Sequence, residues 1–301
     1  MAVRQLWVGA VVLALGCATE GGASRAQRAG VQAAGAPRAS AAAAARPHMA
    51  VVLLERHTLP APEAVVAAHR ALSPEGPALA IHTARVEGKE GAAGSQFTLG
   101  EARLGVYSLP QPMPEGAAEG AALHSASHVA GDWQLKPHQA QLLVSYQEAP
   151  GVSAREGLQR FTRLVGAVVR AASAPLGVYW ASAHATHAPD FVLKLAGEAD
   201  ASRLAFLWVG LEVSEEAGRV RVASTGMASL GLPEVVLTAP PSRRPQEVLP
   251  NTFDLLSYVV GRGEALPAGD TFGWAQEERI PVRYEPAADG AGAQVLRIDL
   301  R

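Results

Sequence analysis

One cysteine in 301 residues excludes an intramolecular disulfide and every zinc or iron–sulfur site built on several thiolates. Charge of one sign is missing too: 26 Lys and Arg stand against 28 Asp and Glu, a formal charge of −2. No net basic field exists to hold a phosphate backbone, and Arg243-Arg244 is the only notable basic doublet, so no nucleic-acid partner is expected. The chain has no Gly-x-Ser-x-Gly elbow and no glycine loop with a phosphate-binding lysine. Fixed-period repeats and coiled-coil heptads are also absent. What is present is 49% hydrophobic and 18% charged residues, enough to bury a core in one large domain or two small ones. The 30 glycines and 21 prolines imply many turns and short elements.

The first residues have the layout of an export signal. Arg4 precedes the apolar run Leu6 to Gly16, which ends at Cys17. The run is shorter than the roughly 20 residues a bilayer-spanning helix needs, but it suits a cleaved signal peptide. Ala14-Leu15-Gly16-Cys17 resembles the bacterial lipobox, which implies Cys17 as the lipid attachment site and first residue of the mature chain. From Ala18 to His48 there are 13 alanines, four arginines and one acidic residue, broken by glycine and proline, which reads as a flexible tether. The expected organisation is therefore a signal peptide at 1–16, a tether at 17–48 and a globular domain at 49–301. The expected location is the cell envelope, as an outer-membrane lipoprotein facing the periplasm or the surface. Translation from Met49 would instead leave a cytoplasmic domain.

From Met49 onward strand-like runs alternate with helices, an α+β pattern of mixed sheets with several packed helices. It reads as one large domain or two tightly associated subdomains dividing near Pro150. Val51 to Leu54 is a short apolar run, as for a strand buried on both faces. Pro62 opens a helix to Leu72, Gly100-Glu101 joins a hairpin, and the alternate prolines of Pro110 to Pro114 favour a stiff loop. A polar helix is expected near Glu115 to Ser127. Ser153 and Glu156 form a capping-box pattern ahead of the amphipathic stretch Arg155 to Ala171, whose Arg160, Arg163 and Arg170 fall on a solvated face. Ala205 to Val213 and Arg219 to Ala223 read as a hairpin, and Glu247 to Val260 as a helix stopped by Gly261, with Pro250 delaying its start.

In this order the chain resembles the bacterial family called domain of unknown function 4261. The motifs are Val51 to Leu54 with Leu59-Pro60; Pro110 to Pro114; Trp133, His138 and Leu142 to Ser145; Gly177-Val178-Tyr179-Trp180; Ser224-Thr225-Gly226 with Gly231 and Glu234; and Gly269 to Gly273. Pro233 departs from the aliphatic residue expected there. The resemblance implies no known activity. Small bacterial domains of this kind resemble immunity proteins, an analogy at the level of fold.

Chemistry-bearing residues are sparse. His184, His187 and Asp190 offer two imidazoles and a carboxylate, and the histidines would share a face if helical; with Pro189 close by and no glutamate placed as in a metalloprotease helix, a polar loop is the expected reading and no metal is expected. His124 and His128, four apart, lack a third ligand. Thr225, Gly226, Glu234, Asp270 and Thr271 would form a polar cluster if their two turns adjoin, serving either a ligand or the turns themselves. The tryptophans at 133, 180, 208 and 274 read as core or rim packing. No cofactor and no catalytic residue is expected. These features favour a lipid-anchored, non-catalytic module that binds a protein partner, immunity-like in role. The alternative is a cell-envelope hydrolase using carboxylates such as Glu234 and Asp270.

Overall fold

Five residues in a row, Ala50 to Leu54, are buried in the first strand, β1 (His48–Leu54). A strand alternates its side chains between faces, so both sides of this one must be covered. The computed structural model, which describes residues 47–129, 131, 133–274, 278–287 and 293–300, shows how. β1 lies between β5 (Ala140–Gln147) and β6 (Pro175–Trp180), antiparallel to both. The sheet continues through β4 (Ala102–Leu109), β3 (Ala93–Leu99) and β2 (Leu79–Glu87) on one side and ends at β7 (Ala185–His187) on the other. It has seven strands in the order β2-β3-β4-β5-β1-β6-β7, and it crosses position 150, where no subdomain break falls.

Two helices cover the face that carries Val52, Leu142, Val144 and Val178. They are α1 (Pro62–Leu72), with proline in its first turn, and α4 (Ala154–Ala171). In α4 the residues Leu158, Phe161, Leu164, Val165 and Val168 are fully buried, as the apolar stripe requires. The Ser153 hydroxyl accepts the Glu156 N–H at 3.3 Å. Glu156 does not return the bond; its carboxylate is drawn to Arg160 at 2.6 Å instead, so only half of the expected capping box forms.

The opposite face presents Val51 and Leu53, which pack with Met113, Ala118, Leu135, Leu143 and Tyr179 in a second, smaller core. The proline-rich segment is part of this cover. The Met113 N–H donates to His138 Nε2 at 3.0 Å, and burial holds the His138 imidazole below its ordinary pKa, in the neutral form that can accept. The expected polar helix over 115–127 is two short ones, α2 (Ala117–Ala122) and α3 (Ala126–Val129).

After β7 come α5 (Pro189–Ala196) and α6 (Ala201–Trp208). The expectation of a strand from Ala205 to Val213 is corrected here. Asp200 accepts the Ser202 N–H at 2.9 Å as an N-cap, and Leu204, Ala205, Leu207 and Trp208 recur at helical spacing on the buried side. Only from Gly210 does the chain extend, as β8 (Gly210–Glu216), which pairs with β9 (Arg219–Thr225).

A second, five-stranded sheet follows in the order β13-β14-β10-β9-β8. Its middle strand β10 (Val235–Ala239) runs parallel to β14 (Gln294–Asp299), which is antiparallel to β13 (Arg283–Pro286). The long helix α7 (Pro245–Arg262) lies between β10 and β14 in the chain. Pro250 does not delay it, because Pro245 opens the helix and the Arg244 N–H reaches Glu247 at 3.4 Å. Gly263 ends it at φ 74°, not Gly261. A two-stranded ribbon, β11 (Thr271–Phe272) with β12 (Ile280–Pro281), completes the α+β fold. Both large sheets contribute to one continuous core.

One buried hydrogen bond ties these halves together. Trp208 Nε1 donates to Thr162 Oγ1 at 2.8 Å, and that hydroxyl donates to the Leu158 carbonyl at 2.8 Å. Thr162→Val keeps the shape but leaves a buried indole N–H unpaired, so it should cost about 1–3 kcal/mol. Denaturant unfolding of the full chain checks this, with Thr162→Ser as the variant that keeps the hydroxyl and the bond.

Candidate functional site

β9 ends at Thr225, and the chain then turns at Gly226, whose φ is 123°, a value that only glycine adopts readily. A single 3-10 turn, Met227–Leu230, leads back toward Glu234. Glu234 Oε1 accepts the N–H groups of Gly226 at 2.9 Å and Ala228 at 3.1 Å. Its Oε2 accepts the Ser224 hydroxyl at 2.6 Å, and the Ser224 oxygen accepts the Val235 N–H at 2.8 Å. Ser229 Oγ donates to the Gly226 carbonyl at 2.6 Å. One carboxylate therefore answers three donors and closes the loop between β9 and β10. Thr225 joins through its backbone, opposite Gly210 on β8.

Asp270 and Thr271 lie elsewhere. Their turn is held by backbone bonds: Asp270 N–H to the Pro267 carbonyl at 3.2 Å and Val282 N–H to the Asp270 carbonyl at 2.8 Å. Thr271 faces Pro281 across the β11–β12 ribbon, and both residues are exposed. Among the described residues no hydrogen bond joins them to Glu234 or Thr225, so the five residues form two separate turns.

The histidines part in the same way. His187 ends β7 and His184 lies in the turn before it, so the pair is not helical, and the two imidazoles enter different surroundings. His184, at φ 48°, places Nδ1 3.1 Å from the Tyr179 hydroxyl, and its carbonyl lies 3.4 Å from His124 Nδ1. His187 is wholly buried and stacks on Phe191 with ring centroids 5.7 Å apart. Asp190 is exposed in the first turn of α5, where the helix dipole favours a carboxylate. His124 sits in the turn before α3 and His128 within it. No group of three or more His, Cys, Asp or Glu among the described residues is arranged to hold a metal ion.

A surface that sequence reasoning missed lies at the end of α7. Tyr258 is 46% exposed; its ring is 6.0 Å from Phe272, which meets Trp274 edge-on at 4.9 Å. Arg262 lies 5.7 Å above the Tyr258 ring, donates to its hydroxyl at 3.2 Å and pairs with Glu264 at 2.6 Å. The signal was in the spacing. Tyr258 and Arg262 are i and i+4 on a helix, while Phe272 and Trp274 are i and i+2 on extended chain. Trp180 and Trp208, by contrast, are fully buried. Cys17, the leader expected before it and the expected tether up to residue 46 lie outside the described residues, while His48, expected in the tether, opens β1; no helix among those described is long and apolar enough to cross a membrane.

His187 sets an acid limit on the fold. Burial pushes its pKa down to about 3, with the Leu207 backbone opposing the shift, while the unfolded imidazole titrates near 6.5. The unfolded chain therefore binds the proton first. Stability is complete above pH 6.5 and is lost as pH falls toward 3, at about 1.4 kcal/mol per pH unit, or roughly 2 kcal/mol by pH 5. His187→Leu should stay within about 1 kcal/mol of the parent at pH 7 and unfold less steeply in acid. Urea midpoints from pH 7 to pH 4.5 measure both; part of the slope should persist, because burial also lowers His48, His69 and His138.

Comparison with known proteins gives one family. No curated protein and no solved structure matches the chain. The match includes Ser224, Thr225, Gly226, Gly231, Glu234 and Gly269 to Gly273, and leaves the four motifs upstream of them outside its span. Over residues 223–299 the chain matches the model of the family described as Domain of unknown function (DUF4261).

Proposed function

We propose that this chain is a lipid-anchored, non-catalytic module of the cell envelope that binds another protein and acts, as immunity proteins do, by occupying it. The observation that carries the reading is the use made of Glu234. A catalytic carboxylate needs a free oxygen aimed at substrate, and both Glu234 oxygens are bound to Ser224, Gly226 and Ala228. Asp270, the other carboxylate a hydrolase would need, sits on a different turn.

The surface we assign to the partner is Tyr258, Phe272, Trp274 and Arg262. Tyr, Trp and Arg dominate the residues that carry protein–protein affinity, because each offers large contact area with few torsions to freeze. Arg262 is already held by Tyr258 and Glu264, which reduces the ordering cost of association. The anchor would be a thioether lipid on Cys17, with the residues between it and β1 as tether.

Two measurements test the reading. Glu234→Ala should lower stability by about 1–3 kcal/mol, as a loop lock must; unchanged melting together with lost turnover of envelope material in Glu234→Gln or Asp270→Asn would establish the hydrolase instead. In fractionated cells the parent should sediment with membranes and cross-link to a defined partner. Cys17→Ser should lose the first property and Tyr258→Ala the second, each without the other.

A further inference from the structure

The packing of α1 against α4 leaves a cleft of about 120 Å³ lined by residues that include His69, Ser73, Leu99, Glu156, Arg160 and Arg163. Its two arginines are not equivalent. The Arg160 guanidinium is answered twice, by Glu148 at 3.2 Å and by Glu156 at 2.6 Å, and Glu148 is itself held by the Tyr146 hydroxyl at 2.7 Å. Arg163, three residues along the same helix, is half-buried and has no hydrogen-bond or ion-pair partner among the described residues. Facing it from α1 is His69, only 3% exposed, whose imidazole likewise makes no hydrogen bond among them, while its carbonyl accepts the Ser73 N–H at 2.9 Å. Burial, and then the positive charge of Arg163, holds that imidazole below its ordinary pKa. Neutral at pH 7, it retains one N–H to donate.

Side chains that merely fill space are not arranged this way. A guanidinium beside a nearly buried imidazole gains nothing from the neighbour, and each leaves hydrogen-bonding capacity unused next to an open volume. An acceptor with negative charge would complement both. We infer that the cleft between α1 and α4 binds a carboxylate group, with Arg163 as the cation, and His69 and Ser73 as neutral donors. Charge decides the class. The donors of Arg160 are taken by Glu148 and Glu156, so Arg163 is the guanidinium left to meet an anion, and Glu156 on the lining disfavours a phosphate dianion more than a carboxylate. Geometry agrees, because the planar guanidinium fork matches the two oxygens of a carboxylate. Leu99 and Pro77 offer an apolar wall to the carbon that bears the group. The inference is independent of the proposed partner surface on α7.

The carboxylate could belong to a free small acid or to an acidic side chain, and two probes separate these sources. The full-length protein is titrated with sodium propionate and, separately, with glutamate blocked at both ends, against sodium chloride at matched ionic strength. The His69 ring protons are followed by NMR. The expected result is a saturable shift with at least one probe, weakened at least tenfold in Arg163→Gln and partly restored in Arg163→Lys. The tighter probe identifies the source. Because Arg163 has no hydrogen-bond or ion-pair partner among the described residues, Arg163→Gln should keep the parent's unfolding midpoint without ligand and lose only the rise that propionate produces. His69→Asn, read at the Arg163 Nε–H, supplies a second variant should the first fail to fold. Shifts no larger than those with chloride, saturation by phosphate with both carboxylates silent, or undiminished binding in Arg163→Gln would each overturn the assignment.

Discussion

The second sheet can reach the first half of the molecule only because Gly210 in β8 and Gly226 just after β9 have no side chain. A Cβ on Gly226 would lie 2.2 Å from the Trp208 carbonyl oxygen, and a Cβ on Gly210 would lie 2.3 Å from that of Ala183. Both obstacles are backbone atoms, which cannot swing aside. Gly210 and Thr225 are register partners across β8 and β9, so the two glycines meet the first half of the molecule at one seam. Everything downstream inherits that contact. The loop locked by Glu234 holds Gly226 at its unusual φ, Trp208 is delivered to Thr162, and a core drawn from both sheets becomes continuous.

Helix α4 shows why much of this was legible in sequence. Its apolar stripe, its N-cap and its end are local facts, and local facts survive folding. The same holds for β1, whose unbroken apolar run demanded cover on two faces, and for the hairpin at Gly100-Glu101. What was misread is where two periods compete. Ala205 to Val213 contains a helix end and a strand start fused at Val209-Gly210, and a window spanning both has no clean period. The Asp200 cap, four residues before Leu204, was the signal that could have separated them.

The site divides along a similar line. Glu234 and Gly226 were singled out because glycine and a polar side chain near a turn imply backbone work, and both ends of that interaction lie within nine residues. Whether the turn of Asp270 and Thr271 adjoins it is a question of topology, which spacing cannot answer. The histidines show the opposite problem. Their separation suits a helix, but the segment pairs with β6, and the strand sends His187 into the core while His184 stays outside.

Residues that stand out in a sequence are those with a conformational duty, such as Gly226 and Glu234, because few residue types can replace them. Residues that could meet another molecule carry no such mark. Tyr258 and Arg262 sit in an ordinary helix, and Arg163 belongs to what spacing assigns to a solvated face. Their distinction arises only when separate elements converge: α7 with the β11 ribbon, α1 with α4. The stretch 223–299 that matches the family model takes in Gly226, Glu234 and Gly269 to Gly273, whose observed roles are turns and strand ends. A shared scaffold constrains the fold and leaves the contacts free to differ. Another molecule is therefore met by side chains whose charge or exposure the fold leaves unanswered: the Arg163 guanidinium, without an ion-pair partner among the described residues, and the exposed ring of Tyr258 are two such side chains.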